Sequence, residues 1–169
     1  NAATVSYVDV KDSNASGGAR VTATNNCTNS GNNLNWYFTS TTYYWVGGTG
    51  NWSDPAHWSL TSGGSGQTLI PSAGDNVIFN SSSGGGTCTV DVNTDYLNSL
   101  VMTGYTGTLA GSSAITVQPD SGTVSCTIAG TISWTGTLNL NPQGTSIINL
   151  TTNSKSMPNI TINGAAGGT

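Results

Sequence analysis

Few residues in this chain have the means to do chemistry, and most of them crowd into one stretch, "YYWVGGTGNWSDPAHWS", from Tyr43 to Ser59. It carries Trp45, Trp52 and Trp58, the single histidine His57, and Asp54. A Ser-His-Asp set can be written from His57, Asp54 and any of many serines. No G-x-S-x-G turn presents a nucleophile, however, and "GGSGQ" (Gly63 to Gln67) reads as a loop. One histidine cannot build a His-based metal triad. Glycoside hydrolysis needs paired carboxylates, and this chain has no Glu and only scattered Asp, with no D-x-D or D-D pair. The sequence therefore predicts a non-enzyme with no catalytic residue, no metal site and no cofactor.

Two gentler chemistries fit the same stretch. Exposed faces of Trp45, Trp52 and Trp58 would stack on sugar rings, with Asp54 bonding hydroxyls. Alternatively the rings would bury themselves as a plug over the end of an apolar interior, each hiding roughly 150–250 Å². The plug is the favoured expectation. The Gly-rich "VGGTGNW" and "SSSGGGTC" precede no helix and no Lys, so neither reads as a phosphate loop. No EF-hand or nonapeptide repeat marks a calcium site. Asp54, Asp75, Asp91 and Asp95 read as turn and strand-end caps through their short side chains.

Composition narrows the partners. Charged residues make up 6% of the chain, with three basic residues and a net charge of −4. Nucleic-acid binding is excluded for want of cations to replace phosphate counterions, and a polybasic membrane contact fails likewise. No run of apolar residues is long enough to span a bilayer as a helix. Solubility has to come from hydroxyls and amides, which points to an extracellular, cell-surface or virion-surface setting. Sequons at Asn14, Asn26, Asn51, Asn80, Asn149 and Asn159 are glycosylation candidates. Of the three cysteines, Cys88 and Cys126 sit in similar contexts, "TCTV" and "SCTI", and are the candidate disulfide; three separate thiols are the alternative.

The elements that must carry these residues read as strands. No window repeats at helical spacing. Short alternating runs recur instead: Thr4 to Val10, Asn76 to Asn80, Thr87 to Val92, Ser99 to Met102, Ala114 to Gln118, Thr123 to Gly130, Thr137 to Asn141, Ser146 to Thr152 and Asn159 to Gly164. Tight hairpin signals are nearly absent; Asn163-Gly164 is the exception. The spacing and the small apolar inward faces predict a right-handed parallel β-helix, a solenoid with two or three strands per rung and a repeat of roughly 20 to 25 residues. An antiparallel β-sandwich is the alternative. The chain divides near Thr39, into 1–39, with one clear strand and a polar stretch, and 40–169, a Trp-rich cap followed by rungs.

Taken together, W-x-G-G-x-G-x-W-S-D-x-x-x-W (Trp45 to Trp58), P-x-A-G-D-N-V-x-F (Pro71 to Phe79), the pair Val90-Asp91, and S-L-x-M-x-G-Y-x-G-T-L (Ser99 to Leu109) resemble the opening of β-helix regions. Such regions occur in large bacterial surface proteins of the autotransporter and filamentous-haemagglutinin kind and in related phage structural proteins. The segment from Tyr7 to Thr39 looks like the closing part of such a unit. The resemblance implies a structural subunit or repeat of a fibre, filament or appendage, assembling head to tail with copies of itself. An adhesin or carbohydrate-binding module that engages surface glycans through the Trp patch is the alternative.

Overall fold

The structure is a computed structural model of the 169-residue chain and describes residues 3–19, 21–24, 27–30, 33, 36–94, 96–120 and 122–163. It is all-β, a solenoid of about 4 turns built from stacked parallel strands. Two single turns of 3-10 helix, Pro55–His57 and Ser81–Ser83, are the helical elements among the described residues.

Three faces make up each rung. The first face stacks Ile147–Thr151, Thr123–Thr127, Ser99–Val101, Asn76–Ile78 and Thr42–Trp45, with Trp58–Ser59 outermost. The second stacks Gly50–Asn51, Thr87–Val90, Thr108–Gly111 and Thr131–Ile132. The third stacks Tyr96–Leu97, Ile115–Val117, Thr137–Leu140 and Asn159–Ile162. After the capping rung, a return to the same face takes roughly 20 to 26 residues, within the range of solenoid repeats.

Period-two alternation explains why these sequences form these strands. Tyr43, Val77, Leu100, Cys126 and Leu150 align as one inward row. Cys88, Leu109 and Ile132 form another, and Leu97, Val117, Leu140 and Ile162 a third. Outward rows are polar: Thr87, Thr108 and Thr131 stack on the second face. Asn and Ser side chains bond along other rows, as where Asn98 and Ser99 both donate to Asn76 Oδ1 at 2.7 Å. The antiparallel sandwich is excluded, because among the described residues every ladder but one is parallel.

The N-terminal segment holds more order than its sequence suggests. Ala3–Ser6, Val21–Thr24 and Trp36–Phe38 stack in parallel, and Asp9–Val10 pairs with Thr28–Asn29. The expected single strand from Thr4 to Val10 is two strands, turned at a corner where Tyr7 takes φ 57°. Val10, Ala23 and Phe38 form a small core of their own, separate from the large cluster that begins at Tyr43.

The proposed disulfide is corrected: Cys27, Cys88 and Cys126 are all free. Cys88 lies in the inward row of the second face and Cys126 in that of the first, so the like contexts reflect the inward-outward alternation common to both rows rather than adjacency.

Corners where rungs approach closely need glycine. Gly111 sits at φ +101°, and a Cβ there would fall 2.3 Å from the Val90 carbonyl oxygen. Gly111→Ala is expected to cost about 2–4 kcal/mol, whereas Gly85→Ala, whose nearest contact is 3.9 Å away, stays within about 0.5 kcal/mol; urea denaturation followed by circular dichroism measures both.

Candidate functional site

The Trp patch forms the capped end of the solenoid. Thr42–Trp45 runs parallel to Asn76–Ile78 on one side and antiparallel to Trp58–Ser59 on the other, with Trp45 opposite Trp58. Pro55 stiffens the intervening 3-10 turn, and Asp54 caps it by accepting from the Ala56 N–H at 2.9 Å. The reversal lets the chain cover its own sheet edge, which would otherwise offer an unpaired row of backbone groups.

All three rings point inward and are no more than 1% exposed. Trp58 meets Trp45 and Trp52 edge-on, at centroid distances of 5.2 and 4.7 Å, and Trp45 stacks on Phe79 at 5.7 Å. Phe79 passes the contact on to Tyr105 at 5.0 Å, one rung deeper. The polar ends of the rings are satisfied locally: Trp45 Nε1 donates to Gly48 O at 3.0 Å, and Trp58 Nε1 to Trp52 O at 2.7 Å. His57 lies flat against Trp45 with 4.9 Å between centroids and donates from Nδ1 to Val46 O at 2.9 Å. A Cβ at Gly50 would overlap its ring.

The alternative reading of Trp45, Trp52, Trp58 and Asp54 as a sugar platform is therefore corrected. Its rings show solvent no face, because each finds a better partner in another ring and the apolar rows beneath. Asp54 is half exposed but is engaged as a cap, with Oδ2 4.0 Å from His57 Nε2. The other aspartates do similar local work. Asp91 accepts from the Ser53 N–H and hydroxyl, and although burial pushes its carboxyl up, those bonds win and hold it below the usual range. Asp75 ties Ser72 to Thr41. Asp95 lies outside the described residues.

Among the described residues, no three His, Cys, Asp or Glu side chains come together as metal ligands, and no helix is long and apolar enough to cross a membrane. Of the sequons, Asn14, Asn51, Asn149 and Asn159 are exposed. Asn80 is half-buried, where it caps the second 3-10 turn and donates to Ser62. Asn26 lies outside the described residues.

The sequence did not single out the isoleucines at the far end of the solenoid. In the third face, Leu138 and Leu140 are 0% and 4% exposed, whereas Ile160 and Ile162, their partners in the last described rung, are 41% and 70% exposed. Ile147 is exposed as well. No strand covers Ile147–Thr151, Thr131–Ile132 or Asn159–Ile162 on the outer side among the described residues. At the opposite extreme of the chain, Ala3–Ser6 is also an edge strand.

No family model, no curated protein and no solved structure matches this chain. Function has to be read from the geometry.

Two outcomes follow for the capped end. Trp58→Ala is expected to cost about 3–5 kcal/mol, and Trp58→Phe about 1–3 kcal/mol, because the buried Trp52 carbonyl loses its donor; urea midpoints rank the two. Burial pushes the Tyr105 phenol up to about 12 from 10.0, even as its hydroxyl donates to Gly86 O at 2.8 Å. The folded protein then holds a proton that the unfolded chain has released, so stability is flat below pH 10 and falls as pH rises from 10 towards 12. Tyr105→Phe is expected to make that alkaline decline in the urea midpoint shallower.

Proposed function

We propose that this chain is a non-catalytic structural unit of an extracellular fibre, filament or surface or virion appendage, joined head to tail with copies of itself through open β-edges. One observation carries the reading: the inward apolar rows, closed by tryptophans at one end, reach the last described rung with Ile160 and Ile162 exposed. An exposed parallel edge is a template for another strand. Ala3–Ser6 of a second copy, itself an edge strand, is the element of matching length. The contact joins unlike surfaces, so it propagates rather than closing into a dimer.

Magnitudes bound its strength. Covering the two isoleucines gains at most about 3–6 kcal/mol. Association costs roughly 4–15 kcal/mol in lost freedom. Backbone pairing along the edge strands must supply the rest, so assembly is expected to be concentration-dependent rather than permanent. The sparsely charged, hydroxyl-rich composition and the resemblance of Trp45 to Trp58 to β-helix openings of bacterial surface and phage proteins support the extracellular, structural setting.

Light scattering across a dilution series, with negative-stain electron microscopy, tests the reading. Regular filaments or a rising mass with concentration are expected. Ile160→Lys with Ile162→Lys should leave the circular dichroism unchanged and abolish assembly, because lysine on an edge opposes further pairing. A monomer at every concentration would overturn the reading.

A further inference from the structure

The rows of the N-terminal stack follow the rule of the third face. Val5, Ala23 and Phe38 align across its three strands, and Ala3, Val21 and Trp36 align beside them. In the third face, Leu97, Val117, Leu140 and Ile162 align, with Ile115, Leu138 and Ile160 beside them. Each set is a pair of rows two residues apart along parallel strands, on the side that faces its core. The third-face rows end on exposed Ile160 and Ile162. Those of the stack begin at Ala3 and Val5.

The stack is short of core. Val10, Ala23 and Phe38 are its buried apolar residues among those described, and a segment of about 40 residues seldom holds on so little. Val5 packs against that core yet stays half-buried, since no strand lies beyond Ala3–Ser6 among the described residues. One end therefore has an apolar layer with nothing over it, and the other has a strand with nothing beneath it.

Side-chain alternation restricts how the two can meet. A slip of one residue turns Ala3 and Val5 outward. With Val5 over Ile160, Ala3 falls on Pro158, which has no N–H to pair, and Ile162 is left under the corner where Tyr7 takes φ 57°. With Ala3 over Ile162, Ile160 stays bare. The remaining register covers both isoleucines. It also sets Thr4 on Thr161, in line with Thr116 and Asn139, and Ser6 on Asn163, whose amide already donates to Asn141 Oδ1 at 3.0 Å. No charged side chain enters the joint. Resting on the head-to-tail reading above, we propose that Ala3–Ser6 of one copy lies parallel on Asn159–Ile162 of another, Ala3 over Ile160 and Val5 over Ile162. The N-terminal stack then supplies the next rungs of its neighbour's third face, and the small core and the large one become a single apolar column.

Mild oxidation of full chains carrying paired cysteines tests the register. Facing residues on adjacent strands stand about 4.8 Å apart and diagonal ones about 8 Å, and the diagonal is too long for a disulfide. Thr4→Cys with Thr161→Cys is expected to give a ladder of covalent oligomers, about ten-fold more than Thr4→Cys with Asn159→Cys. The unaltered chain is the blank for Cys27, Cys88 and Cys126. Light scattering is followed alongside. If scattering rises with concentration but the Asn159 pair links instead, or neither pair links, the register is overturned and head-to-tail assembly stands. Monomers at every concentration overturn the head-to-tail reading and this joint with it. Deuterium exchange needs no variant and decides if a cysteine pair fails to fold. In assembled unaltered chain, the amides of Ala3–Ser6 and Asn159–Ile162 should exchange about ten-fold more slowly than in dilute chain. Those of Thr87–Val90, already paired on both sides, should not change. Unchanged exchange at Ala3–Ser6 in assembled material would overturn the proposal.

Discussion

A parallel solenoid covers each rung only with the next one. Backbone donors and acceptors on both edges of every strand, and the apolar rows between the faces, are satisfied by the neighbouring turn and by nothing else. Everything particular about this protein answers that requirement. In the middle it is met by repetition, with Leu100, Leu109 and Val117 each lying between like residues. At the ends repetition stops and something else has to serve.

At one end the chain supplies its own answer. The Trp58–Ser59 strand reverses onto Thr42–Trp45 and blocks the first face, while three tryptophans fill the volume that a further rung would have occupied. Their burial, roughly 4–6 kcal/mol for each ring, explains why the aromatic residues of so polar a chain are concentrated there. The same concentration that invites a sugar-binding reading of the sequence is the mark of a cap. At the other end nothing comparable is present among the described residues, and apolar side chains of the inward row stand exposed.

Much of the architecture was legible because solenoid strands obey local alternation. The runs from Asn76, Thr87, Ser99, Thr137 and Ser146 are strands within a residue or two of where the pattern places them, the run from Thr123 ends three residues early, and the all-β parallel fold follows from them together with the scarcity of hairpin turns. The pattern fails where alternation is short or muted. Thr108–Gly111 and Thr131–Ile132 offer one inward residue of note each, and Val21–Thr24 offers Ala23, too small to register as a core residue although it is fully buried. The candidate sites were harder to read, because burial of Trp52 or Trp58 depends on a strand reversal that leaves no local signal beyond Pro55. Cys88 and Cys126 misled for a related reason: inward positions of different faces share the same local alternation and look alike in sequence, but these two stand on different walls.

The antiparallel pair has a further consequence, for the order in which the molecule forms. Trp45 and Trp58 are nearer in sequence than the residues joined in any parallel ladder of the solenoid, so the loop they close is the cheapest in entropy. They also bring the largest apolar side chains together first. A nucleus at that point presents one finished edge, on which Asn76–Ile78 and then each later turn can be laid down by short-range steps rather than by a search across the whole chain. Because the nucleus precedes the turns it templates, a ribosome would release the seed before the material that grows on it.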